Sequence, residues 1–225
     1  MAISPPDVEA GPVSVPYPIF LDLADRPCLV AGGGPVAEAK VRGLLAAGAR
    51  VTVVSPTLTP ALTALAAEGH LTHQAREYAP GDLAGSALAF AATGDRAVSR
   101  AIRAEGRARG VWVNAADDAE HCDFLLPAVL RRGALAVAVS SGGASPALTR
   151  AVRDELERYF PADFGGFVEV VAAVRRELRE RGTPVTAEGW RSALEDELRA
   201  WSTGSAVGDG ALGAGARLRS RLEGT

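Results

Sequence analysis

Three consecutive glycines constrain this chain more than any other feature. In Pro27-Cys28-Leu29-Val30-Ala31-Gly32-Gly33-Gly34-Pro35-Val36-Ala37-Glu38-Ala39-Lys40 a short apolar run ends in Gly32–Gly34, and an amphipathic run follows at once. That order reads as strand, tight turn, helix. Gly32, Gly34 and Ala37 fit the G-x-G-x-x-G/A spacing of dinucleotide sites. The first glycine allows the turn, the second lets a pyrophosphate approach the backbone, and the small third residue lets helix and strand pack closely. A helix that starts here offers free N–H groups and a positive dipole end to phosphates. Pro35 suits the first helical turn, where its missing N–H costs nothing. The same residues also suit a strand–turn–helix with no ligand, because tight βα turns favour glycine on their own account.

The next residues supply the context such a fingerprint requires. Val51–Val54 reads as a second strand, and a helix from Pro60 to about Glu68 follows, with Thr59 as its cap. Leu71–Arg76, Ala87–Ala92 and Val111–Asn114 read as further strands, and Asp95 caps a helix that Gly110 ends. Strands alternating with helices predict a parallel sheet, with ligands beyond the carboxyl ends of its strands. Gly32, Ser55, Thr93 and Asn114 stand at four such ends, so one crevice is expected among them.

After Asn114 the pattern changes. Phe124–Leu126, Leu130 and Ala134–Val139 read as short strands without helices between them, in an antiparallel or edge arrangement. A second small-residue turn, Ser140-Ser141-Gly142-Gly143-Ala144-Ser145-Pro146, precedes a helix to Tyr159 with apolar residues at Leu148, Val152, Leu156 and Tyr159. Phe164–Arg181 and Thr186–Trp201 read as two more helices, and the glycine- and alanine-rich Thr203–Ala216 as flexible. Met1–Pro16 reads as a loose tail. The apolar Tyr17-Pro18-Ile19-Phe20-Leu21-Asp22-Leu23 is expected to lie against the first domain.

Composition bounds the function classes. The 225 residues suit one or two domains, and a net charge of −3 makes no case for nucleic acid. No membrane span and no signal pattern are visible, and the two cysteines read as free thiols in a reducing compartment, so a cytoplasmic protein is expected. Lys40 is the single lysine. It marks either a place where arginine does not fit or chance retention.

Several residues could carry chemistry. In Asn114-Ala115-Ala116-Asp117-Asp118 a carboxylate just past a strand end can accept a proton during hydride transfer; an ordinary acidic turn would look the same. The turn around Ser141 and Gly142 resembles an anion site at a helix start, or a routine turn. Arg131, Arg132, Arg150 and Arg153 suit a polycarboxylate ligand, or form a solvated face. His121 beside Cys122 lacks further ligands at metal spacing, so no protein metal site is expected, and His70 and His73 read as surface residues of an edge strand. The acid that usually closes the second strand to hold a ribose is missing. Val54-Ser55-Pro56 stands there, which leaves both NAD and NADP open on physical grounds.

Taken together these motifs, with Cys122-Asp123-Phe124 and the Tyr17-Pro18-Ile19-Phe20 entry, resemble the sirohaem synthase family, and more narrowly its precorrin-2 dehydrogenase module, from about Tyr17 to Phe160. The resemblance implies an α/β chain. It would have an N-terminal Rossmann-type parallel sheet (17–121), a small central α+β dimerisation region (122–160) and a C-terminal helical domain (161–201), between tails at 1–16 and 202–225. It implies oxidation of precorrin-2 to sirohydrochlorin with NAD as cofactor, in a homodimer; charge and hydropathy lead us to expect no nucleic-acid or membrane partner, and unlike the fused bacterial members no methyltransferase half is expected. In some members Fe2+ insertion follows, which makes Fe2+ or Co2+ a candidate substrate. By motif match Asp117 is the catalytic aspartate. Cofactor contacts fall on Pro35, Val36, Pro56 and Thr57 beside Gly32, Gly34, Ser55 and Thr93, and the substrate side on Asn114, Ser141 and Gly142. Ala39 and His121 depart from the family pattern. Two other readings compete. A non-catalytic NAD-binding sensor would need no carboxylate at the crevice, and a different small-molecule dehydrogenase would carry a larger substrate domain.

Overall fold

β1 (Pro27–Ala31) carries apolar side chains on both faces, and both faces are covered. Cys28 and Val30 join one core with Ala37, Val41 and Leu44 of α1 (Pro35–Ala46) and Leu62 of α2 (Pro60–Ala67). Leu29 and Ala31 join a second core with Ile102 of α3 (Arg96–Arg109). A strand sandwiched between two helical layers needs this run of apolar residues, since neither face meets water. The computed structural model describes residues 16–116, 122–202 and 210–223.

β2 (Arg50–Val54), β3 (Leu71–Gln74), β4 (Leu88–Ala91) and β5 (Trp112–Ala115) complete a parallel sheet of order β3-β2-β1-β4-β5. The chain runs outward from β1 to β3, then returns to the other side of β1. The reversal between β1 and β4 is where a parallel α/β sheet opens a ligand crevice. Local chemistry sets the helix ends. Thr59 Oγ1 accepts from the Leu62 N–H, the Asp95 carboxylate accepts from Ala97 and Val98, and Gly110 at φ +69° closes α3.

A second compact unit begins at Leu126. β6 (Ala128–Arg132) and β7 (Leu135–Val139) form an antiparallel hairpin, followed by α4 (Pro146–Tyr159), α5 (Phe164–Glu180), α6 (Ala187–Ser202) and α7 (Gly210–Glu223). Ser145 caps α4 through a bond to Leu148 N–H, as its sequence indicates. Phe164, Phe167, Val174, Leu178, Ala193 and Leu218 make one core, with Leu135 of the hairpin packed on it.

Four expectations need correction. Phe124–Leu126 is not a strand. Residues 122–124 dock on β5 partly through side chains, with Asp123 Oδ2 accepting from Val113 N–H at 2.8 Å and the Phe124 ring edge-on to Phe90. The first unit therefore ends at Leu125 rather than 121, and the regions expected at 122–160 and 161–201 share one core. The expected flexible tail 202–225 contains α7. Its small residues serve close packing: Ala214 is fully buried, and a Cβ on Gly215 would come 2.7 Å from Val170 Cγ1. The bidentate Arg217–Glu197 pair, at 2.8 Å twice, fastens α7 to α6. Finally, Tyr17, Ile19 and Phe20 are exposed rather than docked; packing on the first core starts at Leu23, because α1 and α2 already cover that face. No described helix is long and apolar enough to cross a membrane.

Candidate functional site: a glycine-lined cleft at the sheet reversal

The three glycines have three different reasons to be there. Gly32 adopts φ +117°, and a Cβ on it would stand 2.2 Å from the Ala92 carbonyl oxygen. A Cβ on Gly33 would stand 1.9 Å from the Thr57 carbonyl oxygen. Both are demanded by the protein's own packing. Gly34 differs. Its backbone is extended, at φ −85° and ψ −174°, and its Cβ position has no protein atom within 4 Å. Nothing inside the fold excludes a side chain from Gly34, so the space belongs to a ligand or to solvent. Sequence spacing singled out Gly32 and Gly34 and missed Gly33, whose constraint comes from a residue 24 positions away.

Gly34 is also the N-cap of α1, and no side chain caps that helix. Both α2 and α3 are capped, by Thr59 and Asp95. The first-turn N–H groups of α1 are thus left for an acceptor from outside, which is the ordinary way a helix start holds a phosphate. Ala37 is fully buried, which lets α1 lie close to β1.

The turn opens on a cleft of about 380 Å³, bordered by Gly32, Gly34, Pro35 and Val36 on one side. Ser55, Pro56 and Thr57 after β2 and Thr93 after β4 complete its wall. The predicted cofactor residues therefore surround one space. Ser55 is held firmly. Its hydroxyl donates to Thr57 O at 2.8 Å, and its carbonyl accepts from His73 Nε2 at 2.9 Å, so the histidine read as a surface residue supports the wall. The Thr93 hydroxyl donates to Asp95 O and accepts from Asp95 N–H.

Asn114 does not join the wall. It is buried, and its Nδ2 donates to Phe124 O at 2.9 Å. Its neighbours make the same kind of tie. Asp123 N–H donates to Val113 O, and Cys122 Sγ accepts from Ala115 N–H at 3.2 Å. Ala116 N–H donates to Ala91 O at 3.0 Å, which carries the sheet bonding one residue past β5. Asp117, like Asp118 and His121, lies outside the described residues, but both flanks of its segment are fixed on β5. Asp123 and Asn114 do the fixing, and only the fold reveals it. Lys40 Nζ stands 5.5 Å over the Phe90 ring, and burial holds its ammonium below the usual range against the pull of Cys122.

Ser141 and Gly142 lie in the second unit, in a turn that satisfies itself. Gly142 N–H donates to Ser140 Oγ and Ser145 N–H to Ser141 Oγ, so two of the N–H groups read as an anion cradle are already bonded. Arg132 is likewise occupied, donating to the Phe160 and Pro161 carbonyls.

Comparison with known proteins gives these features a lineage. A family model described as putative NAD(P)-binding matches residues 19–128, and one described as the central part of sirohaem biosynthesis proteins matches 132–159. The chain is 45% identical over 184 residues to the siroheme synthase of Chromobacterium violaceum, covering 81% of this chain and 39% of that one. It is 46% identical over 164 residues to that of Methylobacillus flagellatus, covering 73% and 35%. It thus spans under two fifths of these relatives' length. A solved structure named SirC, precorrin-2 dehydrogenase, matches at a TM-score of 0.69 and 24% identity over 93% of this chain and 100% of that one, a likeness of fold. With both family models in order along it and identities of 45% and 46% to curated siroheme synthases, the chain belongs to the sirohaem synthase family.

Proposed function

We propose that this chain dehydrogenates precorrin-2 to sirohydrochlorin with NAD+, Asp117 acting as general base. The observation that carries the reading is Gly34, a glycine the fold itself does not need, at the uncapped start of α1 and on the wall of the cleft. The residues present fit a dinucleotide. The α1 N–H groups and Gly34 would hold the pyrophosphate, with Pro35, Val36, Pro56 and Thr57 beside it. When bound, NAD+ supplies the hydride acceptor.

The chain's own task is then the proton. Removing two hydrogens takes an acceptor for the hydride and a base for the proton, and a carboxylate is a sufficient base. Asp117 follows Ala116, whose backbone is bonded to β4. Beyond the segment, Asp123 accepts from Val113 N–H and Phe124 O accepts from Asn114 Nδ2. Precorrin-2 is a polycarboxylate, which suits the arginines Arg131 and Arg150; neither makes an ion pair among the described residues. Insertion of Fe2+ or Co2+ as a substrate is a second activity of the same site, since the pyrrole protons that leave need an acceptor too.

The assembly proposed is a homodimer formed by the second unit. α4 has no buried residue in the single chain, and Leu148, Val152 and Tyr159 stand exposed along it. A cytoplasmic location is proposed on the two free cysteines. The deciding experiment supplies precorrin-2 and NAD+, and follows NADH and the sirohydrochlorin spectrum with and without Fe2+ or Co2+. NADH formed in step with product is expected. Absence of NADH with both reactants present would overturn the dehydrogenase reading.

A further inference from the structure

The strand that usually ends in a ribose-binding acid ends here in Val54-Ser55-Pro56. The structure shows what stands nearby instead. β3 pairs in parallel with β2, Val54 beside Gln74, so the chain leaves β3 next to the end of β2. Three residues further on, Glu77 lines the same cleft as Ser55, Pro56 and Thr57.

The charged residues of the lining narrow the choice. They are Glu77 and Asp95, with no arginine or lysine among them. Asp95 is committed to α3, its Oδ1 accepting from Ala97 N–H at 2.7 Å and Val98 N–H at 3.3 Å. The Tyr78 hydroxyl donates to Glu105, and burial first, then Glu105, keep it protonated well above its usual range. Arg76 next door is held by Asp82 and Gln74. Glu77 is exposed, and its carboxylate makes no hydrogen bond or ion pair among the described residues.

We propose that Glu77 reads the adenosine ribose of the dinucleotide, accepting from its hydroxyls and repelling a 2′-phosphate. This rests on the dinucleotide reading of the cleft. A carboxylate accepts two charge-assisted bonds from a vicinal diol. A 2′-phosphate would face that carboxylate with no cation in the lining to balance it, and like charges brought together disfavour the wrong ligand strongly. The acid therefore comes from the β3–β4 crossover, one strand away from its usual place, and the cleft selects NAD+ over NADP+.

Calorimetric titration of NAD+ and NADP+ into the whole chain tests this, with wild type, Glu77→Gln and Glu77→Arg checked by circular dichroism. Wild type should prefer NAD+, Glu77→Gln should lose about tenfold of that preference, and Glu77→Arg should favour NADP+. Because Glu77 is an exposed crossover residue, neither variant is expected to disturb the fold. A preference for NAD+ that survives unchanged in Glu77→Gln, or equal wild-type affinity for both dinucleotides, overturns the role of Glu77 and leaves the cleft a dinucleotide site. Wild type that binds neither dinucleotide overturns both readings.

Discussion

The two units bury their apolar residues differently. In the first, β1, β2 and β4 are almost wholly shielded, each face closed by helices or crossover from the same chain. In the second, α5, α6 and α7 close a core around Phe164, Phe167 and Leu218, yet no residue of α4 is fully buried and Leu148 stays 56% exposed. A parallel sheet must be covered on both faces before it is stable, so its chain carries the cover with it. An antiparallel hairpin and one helix make no such demand, and they can leave an apolar stripe for a second copy. The first unit thus presents a cleft of small-ligand size, and the second an apolar stripe on α4 that the proposed homodimer would cover.

Four measurements can break or sharpen that contrast, taken from the largest expected effect. Within the first unit, Gly33→Ala pushes a methyl group against the Thr57 carbonyl and should cost about 3 kcal/mol in urea unfolding. Gly34→Ala, one residue on, should stay within about 0.5 kcal/mol while weakening NAD+ binding. Equal stability losses would show that Gly34 serves the fold after all. Asp117→Ala should lower turnover roughly a hundredfold or more with NAD+ affinity nearly unchanged, and Asp118→Ala far less. Near-normal NADH formation by Asp117→Ala would remove it as the base.

The second unit should respond to association instead. Leu148→Arg places a charge on the exposed α4 stripe and should weaken the proposed dimer about tenfold or more by light scattering, leaving the urea midpoint of the first unit in place. A dimer of unchanged strength would send the interface elsewhere.

The smallest effect is acid sensitivity. In the first unit the Arg76 guanidinium holds the Asp82 carboxyl below its usual range. Burial pushes Glu105 up, but Tyr78, Gly81 N–H and Arg109 outweigh it and hold it low as well. A lowered carboxyl stabilises the fold above its unfolded value, and that contribution is lost as pH falls through the folded one. Both side chains are nearly covered, whereas Glu177, held low by Arg219 in the second unit, is 32% exposed. Urea midpoints between about pH 5 and pH 3 should therefore fall faster for the first unit. A second unit that proves the more acid-sensitive would contradict this.

Most of the first unit was legible in the chain because its signals are local. An apolar run, a glycine turn, Thr59-Pro60 and Asp95 as caps, and Gly110 as a stop each act within a few residues, so each declares itself in sequence. The same holds for Ser145-Pro146 at α4. Legibility failed where one composition serves two physical ends. The glycines and alanines of α7 look like a flexible tail, yet small residues are also what two helices need to come close, as Gly215 does beside Val170. The apolar Tyr17–Leu21 reads as a docking segment, but its apolar side chains stand exposed and packing on the core starts only at Leu23.

The amino-acid sequence by itself determined the parallel α/β unit, its glycine turn and the residues that meet around one cleft. These follow from short-range periodicity and spacing, which the chain carries in linear order. Only the tertiary structure decided that Gly33 is required by Thr57 and that Asn114 is a strut rather than part of the wall. It also showed that His73 holds Ser55 and that Glu77 arrives at the cleft from β3. Each of these depends on which distant residues the sheet order brings together. A strand order of β3-β2-β1-β4-β5 places positions twenty or more apart in contact, and no local pattern encodes that adjacency.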